Sequence, residues 1–451
     1  MQAMFEVNVK IIAELQAFLR LAISNCPLLN VMRLSDYAFT RNRKLDFCRL
    51  VLFICKLGKK TLSVELDQLF EQDLMLEHTC SVSAFSLQRK KLAFWFFIFW
   101  NDVLCESFYH YGAAANVVNR WRGKRLIAVD GSKVSLIATK AVKTTFGGQA
   151  NRHDSFCGAQ AIVQFDVLNK LFIYSRLAPY RTAELNMAWQ AIDNLKADMI
   201  AIYDRNFANY KTVALHLWSE QQPGFVIRAR EYHTFIKAFL ATRLESQMVQ
   251  MFPSVTTIER MRTAGFIIRA DKALTVRLVR VALSSGITEV LITNLWEADG
   301  YETAAFKELY NKRWGVETGL STAKNLLQLE SMSGQTEQSV YQDFYATILM
   351  TNLASLLVRQ GTETVQEQRR QSRKRYAHRV QVNMNKASGR LRQKLVYLFL
   401  SADPSTVIEE LIKYFCRHTL PIRPGRTYER KRINKQFNCK HRTYTNYKPA
   451  I

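Results

Sequence analysis

Two short apolar runs, Leu126-Ile127-Ala128-Val129 and Met199-Ile200-Ala201-Ile202-Tyr203, each stop at an aspartate, Asp130 and Asp204. A run with no polar face fits a buried strand rather than an amphipathic element. The residues that follow, Asp130-Gly131-Ser132 and Asp204-Arg205-Asn206, predict that each strand ends in a turn. Between the runs, residues 159–167 and 170–177 read as two strands joined at Leu168-Asn169. Residues 182–196 read as a helix with Leu185, Trp189, Ile192 and Leu195 on one side. The order is strand, strand, strand, helix, strand, with a carboxylate closing the first and the last. Two carboxylates held this way suit a divalent metal beside a phosphate. Aspartate also caps strands and opens turns, so placement alone leaves both roles open.

The flanks read differently. Residues 1–120 have helical periodicity, as in Leu50 to Ile54 and then Leu62, Leu66, Leu69 and Phe70, broken by basic turns. Serines at 81, 83 and 86 offer N-caps for the next helix. Arg41, Arg43 and Lys44 precede a helix and suit either a solvated turn or contact with phosphate. From 213 to 300 the β signal dominates, in residues 224–230, 265–270, 274–282 and 289–295. After Asp299-Gly300 the pattern returns to helix until about residue 400.

Charge narrows the partners. The chain carries 63 Lys and Arg against 38 Asp and Glu, a net charge of +25, and 48% of it is hydrophobic. A foldable chain so basic favours a polyanion, nucleic acid above all. Residues 359–451 alone hold 22 Lys and Arg against 6 Asp and Glu. From Pro421 onward the composition predicts an extended or disordered basic tail. A membrane role is not expected. The longest apolar run, residues 92–100, has nine residues, where a span takes about twenty, and the N-terminus has no clean signal core. The eight cysteines form no CxxC pair, which points to a reducing cytoplasm. His78 and Cys80 lie two apart without a second pair at zinc spacing.

The sharpest pattern lies in residues 310–324, YNKRWGVETGLSTAK. On a continuous helix, Tyr310, Arg313, Glu317 and Lys324 fall within about 60° of one another. One face then offers a phenol, a guanidinium, an acid and an ammonium. A solvated face with i,i+4 pairing of Arg313 and Glu317 fits the same spacing.

This Y-x2-R-x3-E-x6-K pattern resembles the YREK signature of the bacterial insertion-sequence transposases of family four, in the DDE superfamily. Asp130 in LIAVDGS resembles the family's first aspartate, and Asp204 in IAIYDRNF its second. Further similar segments are FTRNRKLDFCRLVLF, HDSFCGAQAIVQFDVLNK, VLITNL and AHRVQVNMNKASGRL, so the likeness covers nearly the whole chain. It implies an α/β fold, a ribonuclease-H-like mixed-sheet core interrupted by a β-rich insertion, with an all-helical N-terminal domain and a basic C-terminal region. The expected boundaries are 1–120 for a helical DNA-end-binding domain, 121–212 and 301–400 for the two parts of the core, 213–300 for the insertion and 401–451 for the basic region.

The resemblance also implies chemistry. Asp130, Asp204 and Glu317 would bind two Mg²⁺ (or Mn²⁺) ions for in-line displacement at phosphorus. Tyr310, Arg313 and Lys324 would hold DNA phosphates, with Arg41, Arg43 and Lys44 as further DNA contacts. The expected partners are terminal inverted repeats and target DNA, bound by a homodimer in the synaptic complex, in the bacterial cytoplasm at the nucleoid. Where some relatives stack an aromatic residue on a flipped base, this chain has Gly286-Ile287-Thr288-Glu289, with Trp296 just beyond. A non-catalytic DNA-binding derivative and a ribonuclease-H-fold nuclease are the alternatives. The intact acidic triad weighs against the first, and the YREK set and basic C-terminus against the second.

Overall fold

The computed structural model describes residues 2–423 apart from 42, 58–60, 73–78, 151–154 and 283–287. His78 and residues 424–451 of the basic tail thus lie outside the described residues. The N-terminal helices are α1 (Gln2–Ser24), α2 (Cys26–Met32), α3 (Phe47–Lys56), α4 (Leu62–Gln72), α5 (Val82–Arg89) and α6 (Trp95–Ala114). Then come β1 (Arg125–Leu136), α7 (Lys140–Phe146), β2 (Gly148–Ala150), β3 (Ser155–Asp166), β4 (Leu171–Pro179), α8 (Glu184–Ala191), β5 (Met199–Tyr203), α9 (Tyr210–Trp218) and β6 (Gly224–Arg228). They are followed by α10 (Thr234–Ala241), β7 (Ser246–Met251), α11 (Val255–Thr263), β8 (Leu274–Ala282), β9 (Thr288–Thr293), α12 (Ala305–Asn311) and α13 (Gly315–Ser321). The chain closes with α14 (Glu337–Gln371), β10 (Val380–Val382), α15 (Met384–Leu400), α16 (Pro404–Arg417) and β11 (Thr419–Pro421). Two compact units result, one of Met1–Val118, Ser135–Gly158 and Ser321–Ile451, the other of Asn119–Val134 and Ala159–Leu320.

The second unit is built on a mixed sheet in which β3, β1, β5, β6, β9, β8 and β7 are neighbours in that order, with β4 also paired to β3. β1 runs parallel to β5, and β5 to β6, while β6 meets β9 antiparallel. The apolar runs of β1 and β5 are explained by burial on both faces. Ile127, Val129 and Tyr203 pack with Met187 and Ala188 of α8 and Val213 of α9 on one side. Leu126, Ile200 and Ile202 pack with Phe306, Leu309 and Tyr310 of α12 on the other. Each such side chain contributes about 1.5–3 kcal/mol by leaving water. The strand order and helical cover give the α/β, ribonuclease-H-like class that the sequence predicts.

Three local expectations are corrected. β1 does not stop at Asp130 but continues through Gly131 and Ser132 to Leu136. The stretch 213–300 is not uniformly β, because α9, α10 and α11 alternate with strands that extend the main sheet. Residues 265–270 form no strand. Gly265 takes a positive φ of 85°, Ile267 is 93% exposed, and Phe266 instead packs near the Trp218 ring. Alternating β-branched residues need a partner strand, and none is present there among the described residues.

The first unit is helical around α14, whose residues 339–357 are almost wholly buried among α1, α3, α6 and α16. Thr336 and Ser339 form a capping box at its start, and Ser81 caps α5 by accepting from Ala84 N at 3.1 Å. The aromatic run near residue 96 is a core helix: Phe96, Phe97 and Trp100 are buried, and Trp100 Nε1 donates to Leu15 O at 3.0 Å. Arg89, in the basic triplet before that run, is buried as well and pairs with Asp343 at 2.8 Å. No single helix among the described residues is long and apolar enough to cross a membrane. At the start of the basic C-terminal stretch, residues 419–421 pair with β10.

Candidate active site

The parallel ladder puts the two aspartates side by side. β1 and β5 pair from Arg125↔Met199 to Ala128↔Ile202. Carrying that register two residues further sets Asp130 opposite Asp204, on strands spaced about 4.8 Å apart. Asp130 Oδ1 accepts from Gly131 N at 3.1 Å, and Asp204 Oδ1 accepts from Asn206 N at 2.7 Å, opening a 3₁₀ turn over Arg205–Phe207. Arg230 fixes that turn by donating to Arg205 O at 2.7 Å and to Asn206 Oδ1 at 3.0 Å.

A third acid, not singled out by the sequence, joins them. Glu184, the first residue of α8, accepts from Asn206 Nδ2 at 3.2 Å and from the Gly131 backbone. A Cβ at position 131 would stand 2.5 Å from Glu184 Cδ, so glycine leaves the space this carboxylate fills. Burial and the Glu184 and Asp204 charges push Asp130 up to about 7, against a smaller opposing pull from Arg313. Burial and Asp204 raise Glu184 too. Nothing in the spacing marks Glu184, because an acid in the first turn of a helix is commonplace.

The signature segment does not form the single helix expected. Tyr310 ends α12, Arg313 lies in a 3₁₀ turn over Lys312–Trp314, Glu317 lies in α13, and Lys324 falls in a π turn over Thr322–Leu326. Two glycines seat α13 against the end of β3: a Cβ at Gly319 would stand 2.7 Å from the Phe165 ring, and one at Gly315 3.1 Å from Val167. That approach presents Glu317 at the surface, where Arg313 Nη2 pairs with it at 3.5 Å. Arg313 is only 8% exposed, and its guanidinium lies 4.5 Å from the Trp314 ring centre and 6.0 Å from that of Tyr310. Its buried Nε has no hydrogen-bond partner among the described residues. Tyr310 is buried, which pushes its hydroxyl up to about 12 despite Arg313. It therefore remains a hydrogen-bond donor at neutral pH.

Asp130, Asp204, Tyr310, Arg313 and Glu317 all belong to the sheet-containing unit. Lys324 belongs to the helical unit, where it pairs with Glu330 at 3.4 Å. Arg41, Arg43 and Lys44 are exposed in that same unit. Arg41 and Arg43 line a cavity of about 310 Å³ with Tyr37, Gln88 and Lys91.

Among the described residues, no three Asp, Glu, His or Cys side chains surround one point closely enough to form a metal site as they stand. The donor set is nevertheless of one kind. Asp130, Asp204, Glu184 and Glu317 offer hard carboxylate oxygens, the ligands of Mg²⁺ and Mn²⁺ rather than of zinc or copper. The space kept open at Gly131 is filled by the end of Glu184, whose charge, like that of Asp204, acts on Asp130.

Residues 121–353 match the family profile described as the transposase DDE domain. No curated protein matches the chain. Among solved structures, it is similar to the piggyBac transposase in a synaptic complex with hairpin DNA, at 11% identity over 94% of this chain and 86% of that one, with a TM-score of 0.36. So remote a likeness adds nothing to the chemistry of the site.

Proposed function

Because the chain belongs to the transposase DDE-domain family, we propose that it is an insertion-sequence transposase of family four. It binds terminal inverted repeats, cleaves DNA there and joins the ends to a target by a cut-and-paste route. The observation that carries this function is the parallel β1–β5 ladder, which ends at Ala128↔Ile202 two residues before Asp130 and Asp204, with Arg313 close enough for its charge to act on Asp130. Asp130, Asp204 and Glu317 would hold two Mg²⁺ or Mn²⁺ ions, which when bound activate water or a 3′-hydroxyl and stabilise the leaving oxygen.

The chain's own groups do the positioning. Arg313 carries an unused buried donor, and a phosphate oxygen would satisfy it with a charge-assisted bond. The protonated Tyr310 hydroxyl offers a second donor. Stacking of the Arg313 guanidinium on Trp314 holds its plane fixed, as bidentate contact requires. Lys324 joins Tyr310 and Arg313 in holding DNA phosphates, Arg41, Arg43 and Lys44 supply further phosphate contacts, and two protomers hold two ends. Intact carboxylates at 130, 204 and 317 weigh against a non-catalytic derivative.

The test is strand cleavage of a duplex carrying the flanking inverted repeat, with Mg²⁺. The wild-type chain should cut at the repeat end, and Asp204→Asn should bind the same duplex without cutting it. Failure of the wild-type chain to cut at the repeat end would refute the function, and cleavage by Asp204→Asn at the wild-type rate would remove Asp204 from the triad.

A further inference from the structure

Close to the Asp204 turn, a tyrosine stands in the open and is nonetheless braced. Tyr232 is 61% exposed, yet its hydroxyl accepts from Arg230 Nη1 at 2.9 Å. The same arginine donates to Arg205 O and to both Asn206 O and Oδ1. One guanidinium thus ties the ring to the turn that Asp204 opens. A ring fixed in advance loses little freedom when something lies against its face. Tyr232 also lines a cavity of about 810 Å³ with Trp189 of α8, Lys211 of α9 and Arg260 of α11. That volume suits a ligand of a few rings and not a duplex. Among the charged side chains lining it, only Glu259 is acidic, against Lys211, Arg230 and Arg260. Lys211 Nζ is held 4.2 Å from the Trp189 ring centre and 5.7 Å from that of Phe266. Burial lowers the pKa of this ammonium, and no carboxylate offsets the effect. Rings rather than an acid hold the charge, which leaves it for an incoming anion.

From this juxtaposition we infer that the cavity takes one unpaired nucleotide of a DNA strand, its base stacked on Tyr232 and its phosphate on Lys211. Stacking on a side chain requires a base whose own neighbours do not cover both faces, so the strand must be single there. The inference rests on the reading of the chain as one that cleaves DNA at Asp204, where strand ends would arise beside the cavity. Neither Glu289 nor Trp296 lines the cavity, so it is separate from the start of β9, where some relatives stack a flipped base.

The experiment uses the full chain in chelator, so that no cleavage occurs. Binding is read by fluorescence anisotropy on two probes, a blunt duplex and the same duplex with a short single-stranded thymidine overhang. The wild-type chain should prefer the overhang. Tyr232→Ala should bind the overhang probe about tenfold more weakly while binding the blunt duplex normally. Tyr232→Phe keeps the ring and should stay within about threefold of wild type. Lys211→Met should reduce the salt slope for the overhang probe by about 0.7. With 5-iododeoxyuridine in the overhang, irradiation should crosslink the strand to the peptide carrying Tyr232, a readout that needs no variant to fold. Equal weakening of both probes by Tyr232→Ala, or a loss in Tyr232→Phe as large as in Tyr232→Ala, would overturn the inference. A crosslink found only in other peptides would do the same. Displacement of the overhang by thymidine 5′-monophosphate at equal concentration would assign the cavity to a free nucleotide instead. If the wild-type chain binds neither probe, the reading of the chain as a DNA-cleaving protein fails first.

Discussion

Two arginines are almost equally buried in this chain and do opposite things with their donors. In the helical unit, Arg89 uses all three guanidinium nitrogens: Nε bonds Gln342 at 2.6 Å, Nη1 bonds Ser333 at 2.7 Å, and Nη2 bonds both Ser339 O and Asp343 at 2.9 and 2.8 Å. In the sheet-containing unit, Arg313 stacks on Trp314 and holds Glu317 at 3.5 Å, but leaves a buried N–H unmatched. A fully bonded buried charge ties α5 to α14 and belongs to the fold. A buried charge with a spare donor costs free energy until a partner arrives. Burial alone does not separate structure from function. The state of the donors does.

The contrast can be broken at several points. The largest effect is expected at the acids: Asp130→Asn, Asp204→Asn or Glu317→Gln should each lower the single-turnover cleavage rate by about a thousandfold or more, roughly 4 kcal/mol at the barrier. End binding measured by mobility shift should stay within a few-fold. Arg89→Ala should cost about 3–5 kcal/mol of stability by stranding Asp343, seen as an earlier denaturation midpoint, while cleavage per folded molecule stays normal. Arg313→Ala should do the reverse, slowing cleavage by about 10–100-fold with no rescue by added Mg²⁺. Its stability should change by no more than about 1 kcal/mol, because its ion-pair partner Glu317 is itself exposed and can be solvated when the arginine is gone. Normal cleavage with lowered stability would make Arg313 a second Arg89.

The smallest effect concerns pH. Asp130 titrates at about 7 in the folded chain, against 3.8 for a free side chain. The folded protein therefore keeps a proton that the unfolded chain releases between those values, and stability falls as pH rises through that window. Without divalent cations, Asp130→Asn should flatten this slope. It should be more stable than wild type at pH 8 by roughly 1–2 kcal/mol, after allowance for solvent screening. Melting curves from pH 4 to 8 in chelator check it.

How much could be read beforehand depended on whether a residue's role is local. Asp130 and Asp204 were legible because doubly buried strands write their position as unbroken apolar runs. The four signature residues were legible as a spacing, although the helix carrying them breaks at Lys312 and again at Thr322. Glu184 was invisible. Its placement comes from Gly131 and Asn206, which lie 53 and 22 residues away in sequence. Arg89 was masked by its neighbours Lys90 and Lys91, since a basic triplet reads as solvated until a partner such as Asp343 shows otherwise. Residues 265–270 have strand composition but no pairing strand among the described residues, and pairing is not a local property.

The two glycines under α13 have a consequence for how this sequence can vary. Positions 315 and 319 meet Val167 and Phe165 at distances that leave no room for even one added carbon without movement. The location of Glu317 is thus set by shape, and salt that strips DNA from the protein should leave it untouched. In a library of single substitutions selected for transposition, position 319 should accept almost nothing, while the exposed Thr318 beside it accepts many replacements. The tolerance map of the segment would then trace the contact with β3 as clearly as it traces the acid.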